Sequence, residues 1–153
     1  MNIKRFRKDA PLPERKTEGA VGYDLVACAY WDMMGRLWRA DDMMSQIVPD
    51  DRGRVLIPCG FGFEVPPGRV GWVTGRGSTS EWVVAAPVDP DYRGEVWIKT
   101  TVHHLQAHKV RFNKFDRIAQ LLLLHCDTPK LVEVEEFTTF TARGAGGHGS
   151  TGR

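Results

Sequence analysis

Apolar residues along this chain come in short runs, many alternating with polar neighbours, and Gly, Pro or Asp breaks each run within a few residues. The runs are Gly22–Cys28, Arg54–Ile57, Gly60–Val65, Arg69–Thr74, Val83–Ala86, Glu95–Val102, Lys109–Phe112, Arg117–His125 and Leu131–Phe137. Their lengths and their β-branched and aromatic content predict strands. Pro66-Pro67-Gly68 predicts a turn between two of them. So many short strands at regular spacing predict an all-β sandwich or barrel. Leu121-Leu122-Leu123-Leu124 does not alternate, which points to burial on both faces or to a subunit contact. After Arg76, Ser78-Thr79-Ser80-Glu81 fits a capping box and predicts one short helix, with a Ser-rich turn as the alternative.

Residues 30–53 depart from this pattern. They gather Trp31, Met33, Met34, Trp38, Met43 and Met44 among several charges. Trp31, Met34 and Trp38 can share a helical face, although Gly35 weakens that helix. The stretch reads as an insertion. It is either an added helix or arm that packs on a protein partner or neighbouring subunit through residues 31–52, or a lid over the chain's own core.

Composition narrows the class. A length of 153 residues is most simply one domain with a core large enough to need no staple. Basic and acidic residues number 21 and 19, a balance that argues against a nucleic-acid binder. Cys28, Cys59 and Cys126 are odd in number and form no C-x-x-C pair, so reduced, buried thiols are expected. The basic N-terminus is followed by no apolar stretch of signal or membrane-span length, so a soluble, cytoplasmic protein without membrane attachment is expected. His104 and His108 stand four apart but in hairpin-like surroundings, where they would not converge on a metal. Glu133, Glu135 and Glu136 read as a solvated strand edge.

The chemistry concentrates in a few segments. From Arg143 to Gly152 the chain holds five glycines, with Ser150 and Thr151 among them and Arg143 and Arg153 at the margins. Such a tail can turn successive N–H groups toward one anion and close over a polyphosphate, or it can simply fray. Asp89-Pro90-Asp91-Tyr92 sets two carboxylates around a rigid proline, before an aromatic ring. A carboxylate beside a phosphate can orient and deprotonate a water, and the ring can pack on a sugar. The same four residues also make an ordinary hairpin turn. Gly75-Arg76-Gly77-Ser78-Thr79-Ser80 suits a phosphate seat or a plain surface loop. Gly22-Tyr23-Asp24-Leu25 and Asp116-Arg117-Ile118-Ala119-Gln120-Leu121 read as strand edges that carry a polar residue.

Taken in order, G-Y-D-L (22–25), G-R-G-S-T-S (75–80), V-D-P-D-Y-R-G-E (88–95), D-R-I-A-Q-L (116–121) and R-G-A-G-G-H-G-S-T-G (143–152) resemble the trimeric all-β dUTPase family. The resemblance spans nearly the whole chain except residues 30–53. It implies a jelly-roll-like β-barrel of the β-clip type over residues 1–142, with the insertion at about 30–53 and a flexible phosphate-closing arm over 143–153. It implies a homotrimer with three shared active sites that splits dUTP into dUMP and pyrophosphate with Mg²⁺, limiting uracil in DNA and supplying dUMP. By the same resemblance Asp89 activates the water that attacks the α-phosphorus, and Tyr92 packs under the deoxyribose and leaves no room for a 2′-hydroxyl. Arg76, Gly77 and Ser78 form a phosphate-contacting loop, and Gln120 lies near the α-phosphate. Arg143, Gly147, Ser150 and Thr151 close over the β- and γ-phosphates from a neighbouring subunit. Asp24 supports the metal-water network. Mg²⁺ is then held mainly by triphosphate oxygens and waters, with no direct protein ligand.

The chain departs from that family's pattern at four places. Only Glu81–Val88 separates the second segment from Asp89, where the family has a longer hairpin with a glycine turn that reads the base. His148 replaces a base-stacking phenylalanine, and imidazole there adds pH dependence near neutrality. Gly77 replaces a serine, and Phe115 stands where a glycine turn precedes Asp116-Arg117. Two other functions compete with hydrolysis. A nucleotide-sensing regulatory protein on the same fold is favoured by the insertion and the short hairpin. A dCTP deaminase-related enzyme needs a glutamate on the strand Val96–Val102, which has no carboxylate.

Overall fold

A computed structural model describes residues 1–31, 36–40, 42–101 and 112–146. The described residues form twelve strands and no helix. They are β1 (Ile3–Arg5), β2 (Tyr23–Val26), β3 (Ala29–Trp31), β4 (Leu37–Arg39), β5 (Asp42–Gln46), β6 (Arg54–Pro58), β7 (Phe61–Phe63), β8 (Arg69–Gly75), β9 (Val83–Val84), β10 (Ala86–Val88), β11 (Trp97–Thr101) and β12 (Arg117–His125). Every pairing is antiparallel. One sheet runs β10-β8-β12-β2 and another β6-β11-β9, with a small β1-β7 pair and a β3-β4-β5 meander beside them. No helix among the described residues is long and apolar enough to cross a membrane.

Alternation places the core. On β11, Ile98 and Thr100 point inward and are fully buried, and on β6, Val55 and Ile57 do the same while Leu56 faces out. The buried Thr100 hydroxyl donates to the Trp82 carbonyl at 2.6 Å, so it is not left unsatisfied. Leu25, Val73, Val88, Ile118 and Leu121 line the facing sheet, and both sets belong to one core cluster. The Leu121–Leu124 run behaves differently along its length. Leu121 is fully buried where β12 lies between β2 and β8, and Leu124 is exposed where only β8 remains alongside.

Five sequence expectations change. Cys28 and Cys59 are buried as expected, but Cys126 is exposed. The short helix after Arg76 is a run of turns. Its Arg76 N–H goes to the Thr79 hydroxyl at 2.8 Å, and the Thr79 N–H returns to the Arg76 carbonyl at 2.9 Å, a local closure that competes with helix. The insertion builds strands in place of a helix. Arg36 lies over the Trp38 ring at 5.3 Å, as residues two apart on one strand face do, while Leu37 between them is buried in the core. Ile47 packs against the same core, which favours the lid over a partner-facing arm. Val83–Ala86 is split at Ala85 between two sheets. Leu131–Phe137 forms no strand and is exposed throughout, because among the described residues no strand edge pairs with it. Residues 102–111, with His104 and His108, lie outside the described residues.

Candidate active site

Three neighbouring strands assemble the first group of side chains. Asp24 on β2 stands opposite Gln120 on β12, and Gln120 stands opposite Thr74 on β8. Arg76 follows directly after β8, and Arg117 opens β12. The Asp24 carboxylate is mostly buried and takes both guanidiniums, Arg76 Nε at 2.9 Å and Arg117 Nη1 at 3.2 Å. Arg76 Nη1 also donates to the Arg117 carbonyl at 3.1 Å. Two fixed cations on one carboxylate leave a net positive seat. Both guanidiniums are partly exposed, and Gly77 and Ser78 stand exposed beside them. That arrangement suits phosphate oxygens, because a planar guanidinium offers paired donors. Gln120 Nε2 donates to the Gly75 carbonyl at 3.1 Å. Its side chain occupies the space that Gly22 leaves open, where a Cβ would collide with it.

A second group surrounds Asp89, which is exposed just past the end of β10. The Tyr92 N–H donates to the Asp89 carbonyl at 3.1 Å and closes a turn. The Tyr92 hydroxyl donates to the Glu95 carbonyl at 2.8 Å, so the ring folds back over Gly94, where any Cβ would overlap it. Glu95 is anchored in turn. Arg7 grips its carboxylate bidentately at 2.7 and 2.9 Å, and the Gly60 N–H adds a bond at 2.8 Å. Both side chains are about nine-tenths buried, so each charge depends on the other. The N-terminal segment therefore fixes the loop that carries Asp89 and Tyr92. A cavity of about 240 Å³ opens beside these two residues.

The two groups are not together in one chain. Val88 pairs with Gly71 near one end of β8, while Arg76 lies beyond Gly75 at the other end. The stretch of strand from Gly71 to Arg76 is about 17 Å long at roughly 3.3 Å per residue. Asp89 and Tyr92 are thus held away from Asp24, Arg76, Arg117 and Gln120. Arg143 is exposed, and its Nε donates to the Gly146 carbonyl at 2.9 Å within a local turn. Gly147, His148, Ser150 and Thr151 lie outside the described residues. Sequence reasoning missed Arg117, Thr79, Arg7 and Glu95 as site-forming residues. Arg117 carried a signal, since it sits three residues before Gln120 in a matching segment. Thr79 and Glu95 also lie in matching segments, whereas Arg7, 88 residues from its partner Glu95, carried none.

Among the described residues no three His, Cys, Asp or Glu side chains converge to cage a metal. Asp89 offers one exposed carboxylate, whereas both oxygens of Asp24 are held by Arg76 and Arg117. That donor set fits Mg²⁺, which keeps most of its waters and binds substrate phosphates, better than a metal needing a protein cage.

Comparison with known proteins identifies the family. Residues 43–152 match the family model for dUTPase. The deoxyuridine 5′-triphosphate nucleotidohydrolase of Anaeromyxobacter sp. (strain Fw109-5) is 38% identical over 162 residues, covering 100% of this chain and 97% of that protein. The protein of the same description from Paramecium bursaria Chlorella virus 1 is 32% identical over 154 residues, covering 98% and 96%. A solved structure of Staphylococcus bacteriophage 80alpha dUTPase with dUPNHPP has the same fold, with a TM-score of 0.74 and 24% identity over 99% of this chain and 98% of that one. With a family model spanning most of its length and relatives matched almost end to end, the chain belongs to the dUTPase family.

Proposed function

We propose that this protein hydrolyses dUTP to dUMP and pyrophosphate in active sites shared between the subunits of a homotrimer. The observation that carries this reading is the separation of two half-sites on one chain. One half holds a cationic phosphate seat, and the other holds an exposed carboxylate with an aromatic ring. Neither half is complete, and a second copy supplies what each lacks. The exposed segment after β12 supports assembly. Leu131, Phe137 and Phe140 are 97%, 86% and 97% exposed. Burying such a side chain stabilises by roughly 1.5–3 kcal/mol, which a neighbouring subunit would provide.

In the assembled site Asp89 orients a water and takes its proton as the oxygen attacks the α-phosphorus. Tyr92 packs under the deoxyribose and leaves no space for a 2′-hydroxyl. Arg76 and Ser78, in the loop that Gly77 keeps open, contact phosphate oxygens, and Gln120 donates near the α-phosphate. Asp24 holds Arg76 in the direction of the substrate. Residues 143–153 act as an arm beyond the 1–142 domain, with Arg143, Gly147, Ser150 and Thr151 closing over the outer phosphates and His148 stacking on the base. Mg²⁺, held mainly by triphosphate oxygens and waters and not by protein side chains, would supply charge neutralisation for the leaving group.

The test is pyrophosphate release from dUTP in the presence of Mg²⁺. Wild type is expected to exceed Asp89→Asn by about 10²-fold or more, the usual contribution of a positioned base. A wild type no faster than the variant refutes the reading.

A further inference from the structure

The insertion leaves a cavity where it meets the outer face of a sheet. Strand alternation sends Val55 and Ile57 of β6 and Ile98 of β11 into the core, so Arg54, Leu56 and Trp97 turn to the opposite face. Ile47, Val48 and Pro49, which follow β5, line the same space as Leu56 and Trp97. The cavity between them holds about 460 Å³, within the size range of small-molecule sites.

Its charges are unbalanced. Asp50 is committed within the wall. Its Oδ1 accepts from the Arg52 and Arg54 N–H groups at 2.9 and 2.8 Å, and its Oδ2 accepts from Arg54 Nε at 2.6 Å. Arg39, half-buried on β4, has no counterpart. Among the described residues no carboxylate pairs with it, and its Nε is buried without an acceptor. Its guanidinium lies 5.3 Å from the centroid of the Trp97 ring, and that contact holds it at the cavity wall. A buried N–H with no acceptor is unfavourable, and a ligand oxygen relieves it.

The free atom selects the chemistry. Nε–H and the neighbouring Nη–H are parallel donors, spaced to take both oxygens of one carboxylate. One uncompensated cation suits one negative charge, and the Asp50 carboxylate in the wall disfavours a second. Ile47, Val48, Pro49 and Leu56 suit an apolar body behind that charge.

We propose that this cavity is a binding site for a monocarboxylate on an apolar or aryl body, with Arg39 as the anion anchor. It is distinct from the cavity beside Asp89 and Tyr92; among the described residues Trp97 alone lines both. The proposal does not depend on which reaction the Asp89 half-site performs.

Calorimetric titration of the full chain with cinnamate tests it, with cinnamamide as the uncharged match. Wild type should bind cinnamate with Kd of about 1 mM or tighter. It should prefer the acid to the amide by about tenfold or more. Arg39→Met keeps an apolar stem against Trp97 and should erase that preference. Leu56→Glu sets a repelling carboxylate on an exposed lining residue and should abolish cinnamate binding. Asp89→Asn should bind cinnamate as wild type does. A cavity that holds water only, seen as no binding by wild type, overturns the proposal. So do equal affinities for acid and amide, a preference retained in Arg39→Met, or cinnamate affinity retained in Leu56→Glu. Loss of binding in Asp89→Asn also overturns it, because the ligand then occupies the other cavity. Should Arg39→Met fail to fold, the acid-to-amide ratio of wild type and the Leu56→Glu result decide.

Discussion

Subunit complementation probes the shared site directly. Arg76→Ala removes one guanidinium from the proposed phosphate seat, and Asp89→Asn removes the proposed base at the other half-site. A general base must lie within about 3 Å of the proton it takes, or act through one water. The β8 register separates the two residues along the strand by about 17 Å, so one chain cannot use its own pair at one phosphate. Each variant alone should therefore lose most of its turnover. In the proposed homotrimer, mixed at random, an Arg76→Ala subunit still supplies Asp89, and an Asp89→Asn subunit still supplies Arg76. With equal amounts, about half times half, or a quarter, of the sites receive both intact groups. The assay mixes the variants through denaturant and refolding, confirms mixed assemblies by native mass spectrometry, and measures pyrophosphate release from dUTP. Recovery to about a quarter of wild-type rate is expected. Activity no higher than the mean of the two parents, with mixing confirmed, would refute the cross-subunit arrangement.

Three further predictions concern the supports of the site. Arg7→Ala leaves the Glu95 carboxylate buried without its partner and should destabilise the fold by about 3–5 kcal/mol, read as a lowered urea midpoint; an unchanged midpoint contradicts the anchoring role. Gly94→Ala pushes a methyl into the Tyr92 ring and should raise KM for dUTP while the circular dichroism spectrum stays that of wild type, whereas an unchanged KM would mean that the ring position does not matter to binding. Burial pushes the Cys59 thiol up to about 12, so iodoacetamide at pH 8 should leave it unlabelled in the folded protein, and rapid labelling there would show an accessible thiolate.

How much was legible in the sequence depended on how local the cause was. β12 runs over Arg117–His125, the same span that the apolar run marks, and β8 extends the expected Arg69–Thr74 by one residue. Both lie inside a sheet, where burial enforces the period of two. The sequence left helix and Ser-rich turn both open after Arg76, because a single buried hydroxyl on Thr79 decides for the turn against a good capping sequence. The insertion misled for the opposite reason. Its aromatics and methionines fit a helical face, yet Leu37 finds the core only by strand alternation. Phe115 adopts φ of 67°, so the missing glycine before Asp116 left the left-handed turn in place and changed only its occupant. Of the candidate site, Asp24, Arg76, Gln120, Asp89 and Tyr92 could be singled out by matching segments. Their division into two half-sites follows from strand register, which no local signal carries. The Arg117–Asp24 pair, 93 residues apart, is equally non-local.

The most direct measurement of the central claim is a single turnover of dUTP in water enriched in ¹⁸O, with both products weighed by mass spectrometry. Water activated by Asp89 and delivered to the α-phosphorus places the label in dUMP and leaves pyrophosphate unlabelled, and Asp89→Asn loses that reaction. Label in pyrophosphate, or unchanged labelling of dUMP by the variant at the wild-type rate, would contradict the account.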